Sequence, residues 1–390
     1  MKSTLITTAL ASLLLAGTAF LPHAAWSQEA ATAIAVALPD VSEQAINAAD
    51  FEGWKARRDA ARTGLDEAQA VLEIEPPAAA GAPDDPAATE APEAAAAPEP
   101  AKSAKPEDFP DPFLIRLQVL LDRAHASPGV IDGLDGDNTR KAIAAYALMN
   151  DIDVGDEPSA ALWEKLGADA ATVVQPYILT EQDLAERFVP DMPTDYADLA
   201  KLDWLGYRDA AEMLAERFHM DETLLRRLNP SVTFAKAGEA ILVTQPGEAP
   251  HTKVAKIVVD KAKGELIAYG ADDQIVLISP ATIGSEGTPS PSGTMKVNGS
   301  APDPTYEYNP DKNFKQGKNS EKLTIPAGPN GPVGAMWIDL SKPTYGIHGT
   351  PEPSKIDKTA SHGCVRLTNW DAQALASLVQ PARTVVEFRE

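Results

Sequence analysis

The sequence predicts a multidomain chain: a small all-α module, an α-rich spacer, and a C-terminal domain that is mainly β, sandwich-like, with one or two helices. Three observations predict this. A Pro/Ala/acidic segment at 75–112 separates an N-terminal helical stretch from the remainder. Apolar residues recur at helical spacing in two blocks between 113 and 246. From Thr252 onward the pattern changes to short β-rich runs punctuated by turns. A length of 390 residues fits two or three such domains.

Taken in order, residues 1–27 read as an export signal. Lys2 gives a positive start, Leu5 to Phe20 is an apolar and small-residue run, and Ala25-Trp26-Ser27 is a cleavage site. The run is too short and too rich in small residues for a membrane span, and no later segment is long and apolar enough for one. Residues 28–74 hold a helical stretch over Val41 to Leu72, capped by Ser42, to which the sequence assigns no job. Residues 75–112 carry ten of the 33 prolines, nine acidic residues and two lysines. Such a composition cannot bury enough surface to offset its ordering entropy. Extended at ~3.1 Å per residue, it would reach on the order of 100 Å and act as a tether.

Phe113 to Leu121 has helical apolar spacing. A Ser127-Pro128-Gly129 turn, the run Ile131-Asp132-Gly133 and a second helix from Arg140 to Met149 follow, with Thr139 or Asn138 as its cap. Leu162-Trp163-Glu164-Lys165-Leu166 closes the module at 113–168. Its Asp-rich turn lacks the alternate ligands and terminal Glu of an EF-hand. Residues 175–246 are helical, with Leu225-Arg226-Arg227-Leu228-Asn229-Pro230 and then a Gly238 before a strand; His219 here reads as a satisfied histidine. Strands are predicted at Ala255–Asp260, Gly264–Tyr269, Gln274–Ser279, Met295–Val297, Met336–Leu340, Tyr345–His348 and Thr384–Phe388. One helix, Trp370–Val379, is capped by Thr368 or Asn369.

Formal net charge is −23, and −24 once Lys2 is removed with the signal. Such a chain has no general attraction to nucleic acid or anionic lipid.

Chemistry concentrates near the C-terminus. Cys364 is the one cysteine, in Ser361-His362-Gly363-Cys364-Val365-Arg366, with His348 sixteen residues upstream in Tyr345-Gly346-Ile347-His348-Gly349-Thr350. A lone cysteine in an exported chain is either a small hydrophobe or a working thiol, and its polar, Gly-rich flanks favour the latter. A thiol near pKa ~8.5 needs a base or a positive neighbour. His348 supplies a base, and His362 in an extended segment shares a face with Cys364. Gly349 lets the backbone after His348 turn. Gly363 lets the nucleophile loop bend and present amides as an oxyanion hole. Arg366 offers a fixed charge that lowers the thiol pKa or holds an anionic substrate. Zinc is the weaker reading, because a closed site has four ligands and no second cysteine is present. No phosphate-cradling Gly-x-x-x-x-Gly-Lys-[Ser/Thr] run exists.

These motifs resemble the active-site signature of the L,D-transpeptidases, the YkuD-type catalytic domain, over about 252–390. Ser290-Pro291-Ser292-Gly293-Thr294-Met295 is similar to that family's "TPxGxF" segment, with Ser290 in the Thr place. Residues 327–334 and Asn369-Trp370-Asp371-Ala372 fit its branch of periplasmic wall enzymes. The 113–168 module resembles a peptidoglycan-binding repeat, and 175–246 resembles the latter part of a LysM-type repeat or serves as a spacer. The resemblance implies acyl transfer on peptidoglycan stem tetrapeptides through a Cys364 thioester, without metal or organic cofactor. Its partners are stem peptides and glycan, and the acceptor is a second stem, an envelope protein such as an outer-membrane protein or lipoprotein, or water. It implies His348 as general base, His362 in support, Ser361 and Gly363 at the oxyanion pocket, Arg366 positioning substrate, and Tyr345 and Gly349 lining the pocket. Residues 299–330 are the expected lid, and the periplasm is the expected location. Hydrolysis by the same nucleophile, and a non-catalytic wall-binding role, remain open alternatives.

Overall fold

The computed structural model describes residues 40–72, 109–153, 155–167, 172–284, 290–312, 314–359 and 363–390, with the backbone alone at 64–72. The expected signal at 1–27, most of the 75–112 segment, and Ser361 and His362 lie outside the described residues. Among the described residues no helix is long and apolar enough to cross a membrane.

Five helices open the described chain: α1 Glu43–Ala48, α2 Phe51–Leu72, α3 Pro112–Arg123, α4 Asp137–Met149 and α5 Ala160–Leu166. Ser42 caps α1, accepting from the Ala45 N–H at 3.3 Å, as its sequence predicts. Asp111 caps α3, with Pro112 in the first turn, where its missing N–H costs nothing. The stretch with no assigned job is part of the core. Ile46, Phe51 and Trp54 are buried, and Trp54 stacks on Phe113 at 5.0 Å between ring centroids. Asn47 accepts from the Val173 and Val174 N–H groups at 2.8 and 3.2 Å and donates to the Val174 carbonyl at 2.9 Å. Arg57 reaches Asp111 at 3.2 Å, so the chain before and after 73–108 meets on one core instead of standing a tether's length apart. Helix α4 starts three residues before its expected start, at Asp137, and Gly136 caps it without a side-chain bond. Thr139 is instead buried, accepting from buried Gln118 Nε2 at 2.9 Å and donating to the Leu134 carbonyl at 3.1 Å.

A unit of two strands and four helices follows, called β-α-α-β after its two longer helices. Strands β1 Val174–Ile178 and β2 Ala240–Thr244 pair antiparallel. Between them lie α6 Glu181–Leu184, α7 Tyr196–Leu199, α8 Ala210–Arg217 and α9 Glu222–Leu228. Asn229 joins α9 to β2. It donates to the Leu225 and Leu242 carbonyls at 2.8 and 2.9 Å and accepts from the Leu242 N–H at 2.6 Å. Strand β1, with Pro176 and polar alternation, was not expected in a region that reads as helical.

The C-terminal strands are β3 Lys256–Asp260, β4 Glu265–Tyr269, β5 Ile275–Pro280, β6 Gly293–Pro302, β7 Tyr306–Tyr308, β8 Leu323–Ile325, β9 Met336–Leu340, β10 Gly346–His348, β11 Val365–Arg366 and β12 Val385–Arg389. Helix α10, Asn369–Leu378, is capped by Thr368, whose hydroxyl accepts from the Asp371 N–H at 3.1 Å. Many short strands between turns leave a sandwich or a closed sheet open, and the structure corrects the sandwich in favour of the second: eight strands form one curled mixed sheet in the order β11-β10-β9-β6-β12-β3-β4-β5. The reason is β6, ten residues long. Its first half pairs β12 and its second half pairs β9, with a register shift between Val297 and Gly299. A bulge of this kind bends a strand and raises local twist, so one strand serves both halves. The curl nearly closes, because Thr282 beyond β5 and Arg366 in β11 exchange N–H···O bonds at 2.9 Å. Closure removes free edges. Inside lie Ile257, Val259, Leu266, Val297, Ile338, Ile347 and Val365, with Leu375 and Leu378 of α10 against them.

The helical units are fused to this sheet. The Ile278 N–H donates to the His125 carbonyl and the Ser127 N–H to the Ile278 carbonyl, both at 2.9 Å, covering the edge of β5. His219 stacks on Trp370 at 5.0 Å and bonds Asp122 at 3.1 Å, as a satisfied core histidine. Ser127 donates to Asp371 at 2.9 Å.

Candidate active site

The site is built on β9, β10 and β11. In the parallel β10–β11 pair His348 is opposite Arg366, and in the antiparallel β9–β10 pair it is opposite Trp337. Opposed residues share a face of the sheet, so Trp337, His348 and Arg366 form a row. Cys364 lies in the bend just before β11, two residues ahead of Arg366, whose charge acts on both its thiol and the His348 ring. The Trp337 and His348 rings stack at 5.6 Å and 18°. This contact requires Gly346, since a Cβ there would sit 2.3 Å from the indole.

Gly363 has φ +104°, a backbone conformation that glycine adopts without strain, so the expected bend before the nucleophile is present. Its carbonyl accepts from the Ser290 hydroxyl at 2.9 Å, and the same hydroxyl accepts from the Gly284 N–H at 2.9 Å. The Ser290 motif thus fixes the nucleophile's loop. Cys364 Sγ lies 3.6 Å from the Thr344 carbonyl. Burial pushes its thiol pKa up, against the Gly346 backbone N–H and the Arg366 charge, which pull it down.

His348 is buried, and its Nδ1 lies 2.7 Å from the Gly349 carbonyl. A carbonyl only accepts, so Nδ1 carries the proton of that bond, and the Val333 carbonyl also faces the ring. Burial first, and the Arg366 charge second, hold its pKa down to about 3, well below the unperturbed imidazole that the sequence suggests. Gly349 has a different job from the expected turn and pocket lining. Asn369 Oδ1 stands 2.1 Å from where its Cβ would be. That oxygen accepts from the Ala335 and Thr350 N–H groups at 3.0 and 3.1 Å, bracing the segment after His348. The sequence offers Asn369 as a helix cap and as part of the Asn369-Trp370-Asp371-Ala372 motif, and neither reading carries this bracing role. Tyr345, just before β10, carries Lys342 Nζ 4.6 Å from its ring centroid.

The expected lid at 299–330 divides. Its first residues continue β6, and the remainder holds the β7–β8 hairpin. Tyr308 and Ile325 form an apolar cluster with Leu199 and Leu205 of the β-α-α-β unit. Tyr196 of α7 meets Tyr306 and Tyr308 edge-on at 6.0 and 5.2 Å. Gln316 and Asn319 pin the hairpin to Thr194 and Asp195, each at 3.1 Å. Burial raises the hydroxyl pKa of Tyr196 to about 12 and also lifts that of Tyr306, whose surroundings include the Cys364 and Arg366 charges. These tyrosines carry no sequence signal for the site, because they come from outside the motif. Among the described residues no group of three or more His, Cys, Asp or Glu is placed to hold a metal.

The family model of the YkuD L,D-transpeptidase catalytic domain matches residues 255–387. YkuD of Bacillus licheniformis is 30% identical over 174 residues, which are 44% of this chain and 88% of that protein. YbiS of Escherichia coli K12 is 31% identical over 188 residues, 47% of this chain and 61% of that protein. Among solved structures, the catalytic domain of the Enterococcus faecium L,D-transpeptidase aligns with a TM-score of 0.26 at 20% identity, over 36% of this chain and 99% of that one. With the family model matched over 255–387 and this match over most of the Bacillus protein, the chain belongs to the YkuD family of L,D-transpeptidases.

Proposed function

We propose that the chain is a cysteine acyltransferase of the cell envelope, passing the acyl group of a peptidoglycan stem tetrapeptide through a Cys364 thioester to an amine. The observation that supports this most is Arg366, opposite His348 across β10 and β11 and acting on both the His348 ring and the Cys364 thiol, with Nδ1 of His348 tied to the Gly349 carbonyl. His348 takes the thiol proton as sulfur attacks the carbonyl between the L-centre of the diamino acid and the terminal D-alanine. The imidazolium returns that proton to the departing D-alanine amine, leaving the thioester. An acceptor amine then attacks. Its proton passes through His348 to the leaving thiolate, and a new amide forms. Backbone amides around Gly363 stabilise the oxyanion, worth ~3–4 kcal/mol per donor in acyl-transfer sites. Arg366 holds substrate, while Ser361 shapes the pocket and His362 supports the base. The export signal read at 1–27, together with the family, supports the periplasm as the place of work. The modules at 113–168 and 175–246 hold glycan or set the enzyme's geometry.

Intact mass after incubation with a disaccharide-tetrapeptide and a diamine tests this. The wild type should gain a transient tripeptide adduct and yield joined product, and Cys364→Ala should gain neither. Product from Cys364→Ala would sink the reading, and an adduct that resolves only to free tripeptide would make the protein a hydrolase.

A further inference from the structure

A cleft of about 550 Å³ lies between the β-α-α-β unit and the catalytic sheet, with Arg366 in its wall. Arg366 stands two residues from Cys364, roughly 7 Å along the chain. Glu216 and Asn330 also line the cleft and are 6% and 7% exposed. Three buried polar atoms of these lining residues have no hydrogen-bond partner: Glu216 Oε1, Asn330 Oδ1 and Arg366 Nε. Their orientations are fixed by the bonds their other atoms make. Asn330 Nδ2 donates to the Gly206 carbonyl at 3.1 Å and to the Glu212 carboxylate at 3.2 Å, so Oδ1 is the atom left over. Glu216 Oε2 accepts from Asn369 Nδ2 at 2.8 Å, and the Tyr207 hydroxyl stands beside the same carboxylate, outside the geometry of a full hydrogen bond to Oε1.

The other acids of the cleft are occupied. Glu212 and Glu222 pair with Arg208 at 3.0 Å, Glu352 pairs with Lys355 at 2.5 Å, and Asp221 caps α9. Among the described residues Glu216 is in no ion pair. A buried polar atom without a partner costs about 1–3 kcal/mol, and more when charged. Two acceptors and one cationic donor in one cleft match a group that carries an ammonium and a carboxylate together.

We propose that Glu216, Asn330 and Arg366 form a specificity site for the free side-chain end of the acyl donor's diamino acid, its ammonium on Glu216 and Asn330 and its carboxylate on Arg366. This rests on the transpeptidase reading above. The site belongs to the donor and not the acceptor for a chemical reason. An attacking amine must be neutral, and a buried carboxylate keeps an amine protonated. It therefore suits an amine that is recognised but does not react. The side chain of a diamino acid spans the roughly 7 Å from the reacting carbonyl. Burial and nearby Glu212 hold the Glu216 carboxyl up to about 8, so an arriving cation ionises it at neutral pH. In this arrangement a residue of the helical unit before the catalytic domain, on α8, helps select the substrate.

The test is the rate of Cys364 adduct formation on the full chain, read by mass. The donors are synthetic tetrapeptides ending in D-alanine, with diaminopimelate, lysine or norleucine as third residue. The wild type should rank them in that order, each step being roughly tenfold. Glu216→Gln copies the protonated acid and its bond to Asn369. It should bring the lysine and norleucine rates together, read as the ratio of the two on the same protein. A wild type that acylates equally from all three donors overturns the cleft assignment without any variant. A Glu216→Gln protein that keeps full discrimination overturns it as well, making Glu216 a purely structural acid. No adduct from any donor would instead defeat the transpeptidase reading, and this inference with it.

Discussion

His348 is buried beneath the Arg366 charge, and the Cys364 thiol is pushed up by its own burial. Both groups therefore rest neutral near pH 7, as thiol and imidazole, not as the ion pair of many cysteine enzymes. The proton moves only when a carbonyl is in place to receive the sulfur. Alkylation by iodoacetamide should accordingly keep rising with pH beyond 9, because the thiolate is the reactive form. A plateau reached below pH 7 would contradict a neutral pair. Cys364 and His348 were legible in the sequence because their neighbours form a local motif. Asn369 was not, because its oxygen braces amides 19 and 34 residues away and no short pattern records such a bond.

Strand β10 is three residues long, and its working face depends on a missing side chain. Gly346→Ala would drive a methyl into the Trp337 ring, which overpacking of this kind makes costly by about 1–3 kcal/mol. The expected result is a lowered melting temperature together with a loss of Cys364 acylation larger than the stability change explains, since the indole that stacks on His348 is displaced. A variant with lowered stability and unchanged acylation would separate Trp337 from the chemistry. At this scale β9 was read from the sequence at its observed bounds, and β3, β4, β5 and β12 within a residue or two, because apolar β-rich runs between turns mark them. Strand β11, with two residues, is too short for any periodicity. The single curled sheet was unreadable for a related reason, since it depends on how the two halves of β6 choose partners.

Across the whole molecule, the helical units meet the sheet through buried ionisable groups, and these tie stability to pH. Burial lifts Glu216 to about 8 against the hydrogen bond from Asn369. Burial opposes the charge of His219, but the Asp122 charge and hydrogen bond, with Asp371, raise its pKa overall. A group whose pKa is higher in the folded state stabilises the fold while protonated and loses that contribution as pH rises through the folded value. For Glu216 the loss runs from about 4.5 to about 8. For His219 it begins above the unperturbed 6.5. His348, held down to about 3, has the opposite sign, but its gain is complete by about 6.5. Between pH 6.5 and 8 Glu216 and His219 therefore both weaken the fold, Glu216 by about 2 kcal/mol. Thermal unfolding should show a falling midpoint across that window, and Glu216→Gln should flatten it. An equally steep fall in the variant would place the effect elsewhere.

The near-closure of the sheet has a consequence for how a peptide is met. Strand β11 has β10 on one side and Thr282 on the other, so the strand that follows the nucleophile offers no main-chain groups to an incoming chain. Recognition by strand addition, which relies on an open sheet edge, is barred at this site. The proposed substrate could not use it in any case. A stem peptide mixes L and D centres, and a regular strand relies on one handedness throughout. An enzyme for such a chain gains nothing from an exposed edge and must read its substrate by side chains and charge, which is what the walls around Cys364 provide.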